Sequence, residues 1–160
     1  LYVDVGGGST ELTLIMDKKT LASKSFPIGS VRILEQQVTK TDWAAMEEWI
    51  VNKTTNINNI QSIGSGGNIN KILTLLQKTK GDSVTIKEIE STIRKIEPYS
   101  IHDRIVKLKL RPDRADVIVH AGKIYSRCMQ WSGAKEMIVP QVGLPDGIVS
   151  QLYSDYKLKN

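Results

Sequence analysis

Apolar and polar positions change period several times along the chain, and each change marks an element. Leu1 to Val5 is an apolar run that reads as a buried strand. From Leu12 to Met16, Leu12, Leu14 and Met16 alternate with Thr13 and Ile15, a strand over 11–17. Asp17-Lys18-Lys19 reads as the turn into a third strand over 20–28, which Pro27 to Gly29 end. The period then lengthens. Ser30 can cap a short helix with Val31, Ile33 and Leu34, and Thr41 a stronger one. In the latter, Trp43, Met46, Trp49 and Ile50 share one face, the spacing of core packing. Ile60 to Ile63 is a fourth strand, which enters Gly64-Ser65-Gly66-Gly67-Asn68 and then a helix with Ile69, Ile72, Leu73, Leu75 and Leu76.

Lys80 to Asp82 reads as a turn, and Thr85-Ile86-Lys87-Glu88 as a capping box. The helix it opens carries Ile86, Ile89, Ile93 and Ile96, and Glu97-Pro98 stops it. A short helix over 100–109 follows. Pro112 then fits the first turn of a long helix to about Trp131, closed by Gly133. Met137 to Val139 is a fifth strand, and Val142 to Gly147 a third glycine turn. A last helix carries Ile148, Val149, Leu152 and Tyr153, with a frayed tail over Lys157–Asn160. Without 81–131 the order is β-β-β-α-β-α-β-α. This predicts an α/β fold: a mixed five-stranded sheet flanked by helices, in one domain over 1–160 with a small helical insertion at about 81–131. The glycine turns after strands one, four and five gather at one sheet edge, where such folds bind ligands.

The totals change this picture little. At 160 residues, 40% hydrophobic and 24% charged, the chain has the size and make-up of a globular domain with a real core. The net charge of +5 favours a polyanionic ligand, but no basic run is interleaved with aromatics, so nucleic acid is not expected. The one cysteine, Cys128, lies in a helical pattern, excludes an internal disulfide and suits a reducing, cytoplasmic setting. No apolar stretch approaches the ~20 residues of a membrane span, and no signal peptide is recognisable. Leu1 opens directly on a strand without an initiating methionine, so the chain reads as a piece of a longer protein. His102 and His120 have no cysteine or carboxylate at metal-ligand spacing.

The candidate chemistry begins at Asp4-Val5-Gly6-Gly7-Gly8-Ser9-Thr10-Glu11. Glycines let a turn approach a ligand closely, and successive N–H groups there form an anion-binding concavity. Ser9 and Thr10 add hydroxyl donors, and Asp4 is placed to hold a hard cation, directly or through water. The stretch Gly64, Ser65, Gly66, Gly67 and Asn68 joins a strand to a helix N-terminus, which points unpaired N–H groups at an anion; Asn68 can also be the N-cap. A bare hairpin with a glycine-rich turn remains open as the simpler reading of the first loop.

These residues, with Arg111-Pro112-Asp113-Arg114-Ala115-Asp116-Val117-Ile118 and Val142-Gly143-Leu144-Pro145-Asp146-Gly147, resemble the second actin-like, ribonuclease H-like domain of the exopolyphosphatase/guanosine pentaphosphate phosphohydrolase (Ppx/GppA) family. The resemblance implies removal of terminal phosphate from polyphosphate or guanosine pentaphosphate with Mg²⁺ or another divalent cation. It gives Asp4 the metal, Gly6, Gly7, Gly8 and Ser9 the phosphate, and Glu11 a place near the metal or the attacking water. Gly64, Gly66 and Gly67 approach the chain or a nucleotide from the other side. It also implies a missing N-terminal actin-like domain, with an Asp-x-Gly-Ser-Asn loop and a glutamate base, as partner; a homodimer stays open. Leu144-Pro145-Asp146-Gly147 departs from the family's Leu-Arg-Glu-Gly and lacks its guanidinium. Two other readings stay open: a non-catalytic sensor of polyphosphate or an alarmone, and half of an actin-like ATPase or kinase.

Overall fold

The computed structural model describes residues 1–159. Strands β1 (Tyr2–Val5), β2 (Thr10–Met16) and β3 (Lys19–Phe26) form a meander. Asp17 and Lys18, at φ 50° and 63°, make the tight hairpin turn between β2 and β3. Helices α1 (Ser30–Leu34) and α2 (Lys40–Thr54) follow, then β4 (Ser62–Ser65), α3 (Gly67–Leu75), β5 (Ser83–Thr85) and α4 (Ile86–Ile96). The chain ends with α5 (Ile101–Val106), α6 (Pro112–Ala115), α7 (Ile118–Ser132), β6 (Glu136–Ile138) and α8 (Leu144–Lys159).

The sheet has six strands, not five, in the order β3-β2-β1-β4-β6-β5. The additional strand, β5, pairs antiparallel with β6 at the edge, Val84 opposite Met137. It escaped the sequence reading because three residues with a single apolar side chain carry no period. The parallel pairs β1–β4 and β4–β6 lie at the centre. Val3, Val5, Leu12 and Leu14 are buried, while Tyr2, Asp4, Glu11 and Ile15 on the opposite side are exposed. That alternation is the period of two expected of a strand with one covered face.

Residues 81–131 share the core of the rest. Helix α7 packs against α1, α2, α3, α4 and β1, and Ile118, Ala121, Ile124, Tyr125, Cys128 and Met129 are fully buried. Gly122 lets α4 approach: a Cβ there would meet Ile93 at 2.4 Å. The long helix expected from Pro112 is broken into α6 and α7. Thr85 and Glu88 make the expected capping box, and a second one joins Thr39 and Asp42, so α2 is capped by Thr39 rather than Thr41. The third glycine turn gives way to helix: Gly147 and residues up to Lys159 lie in α8, including all but Asn160 of the supposed frayed tail; Asn160 lies outside the described residues. Among the described residues no helix is long and apolar enough to cross a membrane.

Candidate functional site

The site forms where β1 and β4, adjacent and parallel, reach their C-terminal ends. Asp4 is opposite Glu11 on β2 and opposite Ser65 on β4. Directly opposed residues share a sheet face, so one row of three polar side chains crosses three strands. The row lines a cleft of about 410 Å³ with Tyr2, Thr13, Pro140 and Val142 among its other walls. Glu11 is steadied by two hydroxyls, Ser9 and Ser25, that donate to its Oε1. Partial burial, then the Glu11 charge, raises the Asp4 carboxyl above the usual aspartate range, with the Ser65 hydroxyl bond opposing. Two facing carboxylates are a donor pair suited to a divalent cation, whose charge would relieve the cost to Asp4.

The first glycine turn is closed by Gly6 N–H donating to the Ser9 carbonyl (2.9 Å). The carbonyls of Gly6 and Gly7 in turn accept from the first amides of α1: Ser30 N to Gly6 O at 3.0 Å, Val31 N and Arg32 N to Gly7 O at 3.0 and 3.2 Å. The turn therefore sits on the end of α1, and Gly29 makes the approach feasible, since a Cβ there would lie 2.1 Å from the Gly7 carbonyl oxygen. The amides of Gly7, Gly8 and Ser9 have no acceptor among the described residues. None of Gly6, Gly7 and Gly8 has a positive φ; a Cβ would meet the Ser9 carbonyl oxygen at 3.3 Å at Gly6 and the Val31 side chain at 3.1 Å at Gly7, while the space at Gly8 is open.

Thr10 departs from the sequence reading. It is fully buried, and its hydroxyl donates to the Ile28 carbonyl at 2.6 Å, so it joins β2 to the segment that follows β3.

In the second loop Gly66 is the N-cap of α3, with φ 109°, a conformation that only glycine adopts readily. Asn68 is therefore not the cap. It is buried in the first turn of α3, its Oδ1 enclosed without a partner. Gly64 is buried, and a Cβ there would meet Met137 Sδ at 2.5 Å, so this glycine serves strand packing. Gly66 faces the site: its Cβ would sit 3.3 Å from Asp4 Oδ1 and 3.0 Å from the Tyr125 hydroxyl. Gly67 is covered by Arg114, whose Nη1 occupies space 1.5 Å from where a Cβ would be.

Arg114 and Tyr125 were not among the residues the sequence reading picked for the site. Arg114 stands in the Arg111–Ile118 segment, where its residue type alone gave no role. Tyr125 lies within an apolar helical stripe and carries no sequence signal. Among the described residues no three His, Cys, Asp or Glu side chains converge into a metal cage. A divalent ion here would be held by Asp4 and Glu11, with water and ligand oxygens completing its shell, as suits Mg²⁺.

A family model described as the Ppx/GppA phosphatase family matches residues 1–155. Among solved structures, the chain is similar to the Aquifex aeolicus Ppx/GppA phosphatase type II variant at 23% identity, TM-score 0.73, with 92% of this chain and 55% of that one covered. Another structure of the Aquifex aeolicus family member gives 23% identity, TM-score 0.75 and coverages of 96% and 56%. An exopolyphosphatase from Cytophaga hutchinsonii gives 16% identity, TM-score 0.75 and the same coverages. No curated protein matches the chain. The likeness to these structures shows the shared actin-like fold, and the chain spans little more than half their length.

Proposed function

From the premise that the chain belongs to the Ppx/GppA phosphatase family, we propose that it is the metal- and phosphate-binding half of a phosphoanhydride hydrolase acting on polyphosphate or guanosine pentaphosphate. The observation that carries this reading is the Asp4–Glu11–Ser65 row beside two glycine loops, with Arg114 over Gly67. Phosphoanhydride hydrolysis needs charge neutralised on the transferred group and a water aligned with the leaving oxygen. The amides of Gly7, Gly8 and Ser9 are oriented donors for phosphate oxygens, and the Arg114 guanidinium matches them with a fork of N–H groups. A bound divalent cation would supply further neutralisation of the phosphate oxygens.

Glu11 is the one carboxylate besides Asp4 in the row. Held by Ser9 and Ser25, it would help hold a cation or orient a water beside it rather than serve as the general base. In this reading the general base comes from a companion domain of actin-like topology, which closes over the cleft. The isolated chain then binds phosphate chains and turns them over poorly.

The test is calorimetric binding of pyrophosphate with Mg²⁺, beside phosphate release from polyphosphate. Asp4→Asn is expected to weaken Mg²⁺-dependent binding by about tenfold or more. Undiminished binding by that variant overturns the site. Phosphate release by this chain alone at the rate of a complete two-domain enzyme overturns the split between two domains. Should the companion domain lack a carboxylate base, the sensor reading replaces the enzymatic one while the binding results stand.

A further inference from the structure

We propose that a pocket at the C-terminal end of α3 is a second binding site, and that its ligand is a small amphipathic anion: a carboxylate on a short hydrocarbon body. The proposal stands apart from the phosphate reading of the glycine loops. Gly67 opens α3 beside the Asp4 cleft, and Leu75 ends it eight residues on, about 12 Å along the axis. The pocket lies at that far end and encloses about 230 Å³. Its apolar walls are Leu75 and Leu76 at the end of α3, Ile96 of α4, and Tyr99 and Leu108 from the turns on either side of α5. Two polar residues complete it, Thr92 and Lys95. With Ile96 they fall at helical spacing on one face of α4.

Both polar groups are unused by the fold. Elsewhere the hydroxyls of Thr54, Thr55 and Thr74 donate to the carbonyl four residues back, at 2.7, 2.6 and 2.9 Å. Thr92 is only 6% exposed, yet its hydroxyl has no hydrogen-bond partner among the described residues. A hydroxyl taken out of water carries a cost that a partner recovers. The Lys95 ammonium at the rim forms no ion pair among the described residues, although its neighbour Arg94 pairs with Glu90 at 3.9 Å. No carboxylate is among the lining residues. Asp103, beyond Tyr99, is engaged by Lys107 at 2.9 Å, and Lys107 in turn lies over the Tyr99 ring. The complement to this set is hydrocarbon against the leucines, Ile96 and Tyr99, with carboxylate oxygens accepting from Thr92 and Lys95. A few convergent polar groups in an apolar pocket are the usual make-up of a small-molecule site. The volume falls below the ~300–1,000 Å³ typical of such sites, which keeps the hydrocarbon body short. A bare phosphate chain offers nothing to the apolar walls.

The experiment titrates the chain with octanoate, and separately with octanol, while methyl NMR signals of leucine and isoleucine are followed. Octanoate is expected to shift Leu75, Leu76, Ile96 and Leu108, and to bind about fivefold or more tighter than octanol. Lys95→Gln, an exposed change that leaves the fold intact, should weaken octanoate by about two- to fivefold and leave octanol unchanged. Thr92→Val keeps the shape of the side chain and should weaken octanoate by about five- to tenfold. Excess pyrophosphate with Mg²⁺ should not displace octanoate. A wild type that shifts none of the four residues overturns the site. So does octanoate binding that both variants leave unchanged, which would put the ligand elsewhere. Equal affinity for octanoate and octanol overturns the choice of an anion, and displacement by pyrophosphate overturns the separation from the Asp4 cleft.

Discussion

The Tyr125 hydroxyl of α7 donates to the backbone carbonyl of Ser65, at the point where β4 gives way to the second glycine loop. The side chain is fully buried, and burial pushes its hydroxyl far above the ordinary tyrosine range, so it stays a donor at any working pH. The central helix of the core thereby holds Ser65 and Gly66 against Asp4. Stability of the core and geometry of the site meet in one bond.

Removing that bond should be felt twice. Tyr125→Phe leaves a buried carbonyl unpaired and is expected to destabilise the fold by about 1–3 kcal/mol. Urea unfolding measures this. Binding of Mg²⁺-pyrophosphate, measured well below the unfolding midpoint, should weaken as well; unchanged affinity in a folded variant would show that the loop keeps its place without the hydroxyl.

Gly66 and Gly67 should respond differently to alanine. At Gly66 the positive φ makes any side chain strained, at a cost of about 1–2 kcal/mol. At Gly67 the obstacle is the far end of the Arg114 side chain, which can swing aside. Gly67→Ala should therefore unfold near the wild-type midpoint while losing affinity for phosphate ligands. A large loss of stability at Gly67 with affinity retained would reverse this assignment of the two glycines.

Asp4 carries a pH signature. Its carboxyl is raised in the folded state, so the fold holds a proton there that the unfolded chain, near pH 3.8, has released. Stability contributed by that proton is present below the unfolded value and lost as pH rises through the folded one. In the proposed reading a divalent cation competes with that proton, so its affinity should climb over the same window and then level off. Asp4→Asn should flatten both profiles; thermal unfolding between pH 3.5 and 7, with and without Mg²⁺, reads them out.

Thr10 should behave as a core residue. Thr10→Val removes the bond to the Ile28 carbonyl and is expected to cost about 1–3 kcal/mol. Its pyrophosphate affinity should equal that of wild type under folding conditions. A selective loss of affinity would place Thr10 in the site after all.

Long periodic stretches gave the helix carrying Met46 and Ile50 and the capping box at Thr85 directly, because periodicity and caps are local properties. Ser83–Thr85 could not be read as a strand, because what makes it one is pairing with β6, more than fifty residues away. The segment 81–131 reads as a small helical insertion, and its helix stripes are visible in the sequence. Which stripes face each other is settled by packing around α7.

Within the site, the sequence by itself placed a carboxylate before three glycines and a second glycine-rich turn before a helix, since those are facts of spacing. The tertiary structure alone decided that Asp4, Glu11 and Ser65 stand in one row, that Thr10 and Gly64 belong to the core, and that Arg114 and Tyr125 come from far along the chain to touch Gly67 and Gly66. The reason is physical. A turn can be recognised from the conformational needs of its own residues, whereas the neighbours that crowd it are fixed by strand register and by how the buried faces of distant helices fit together.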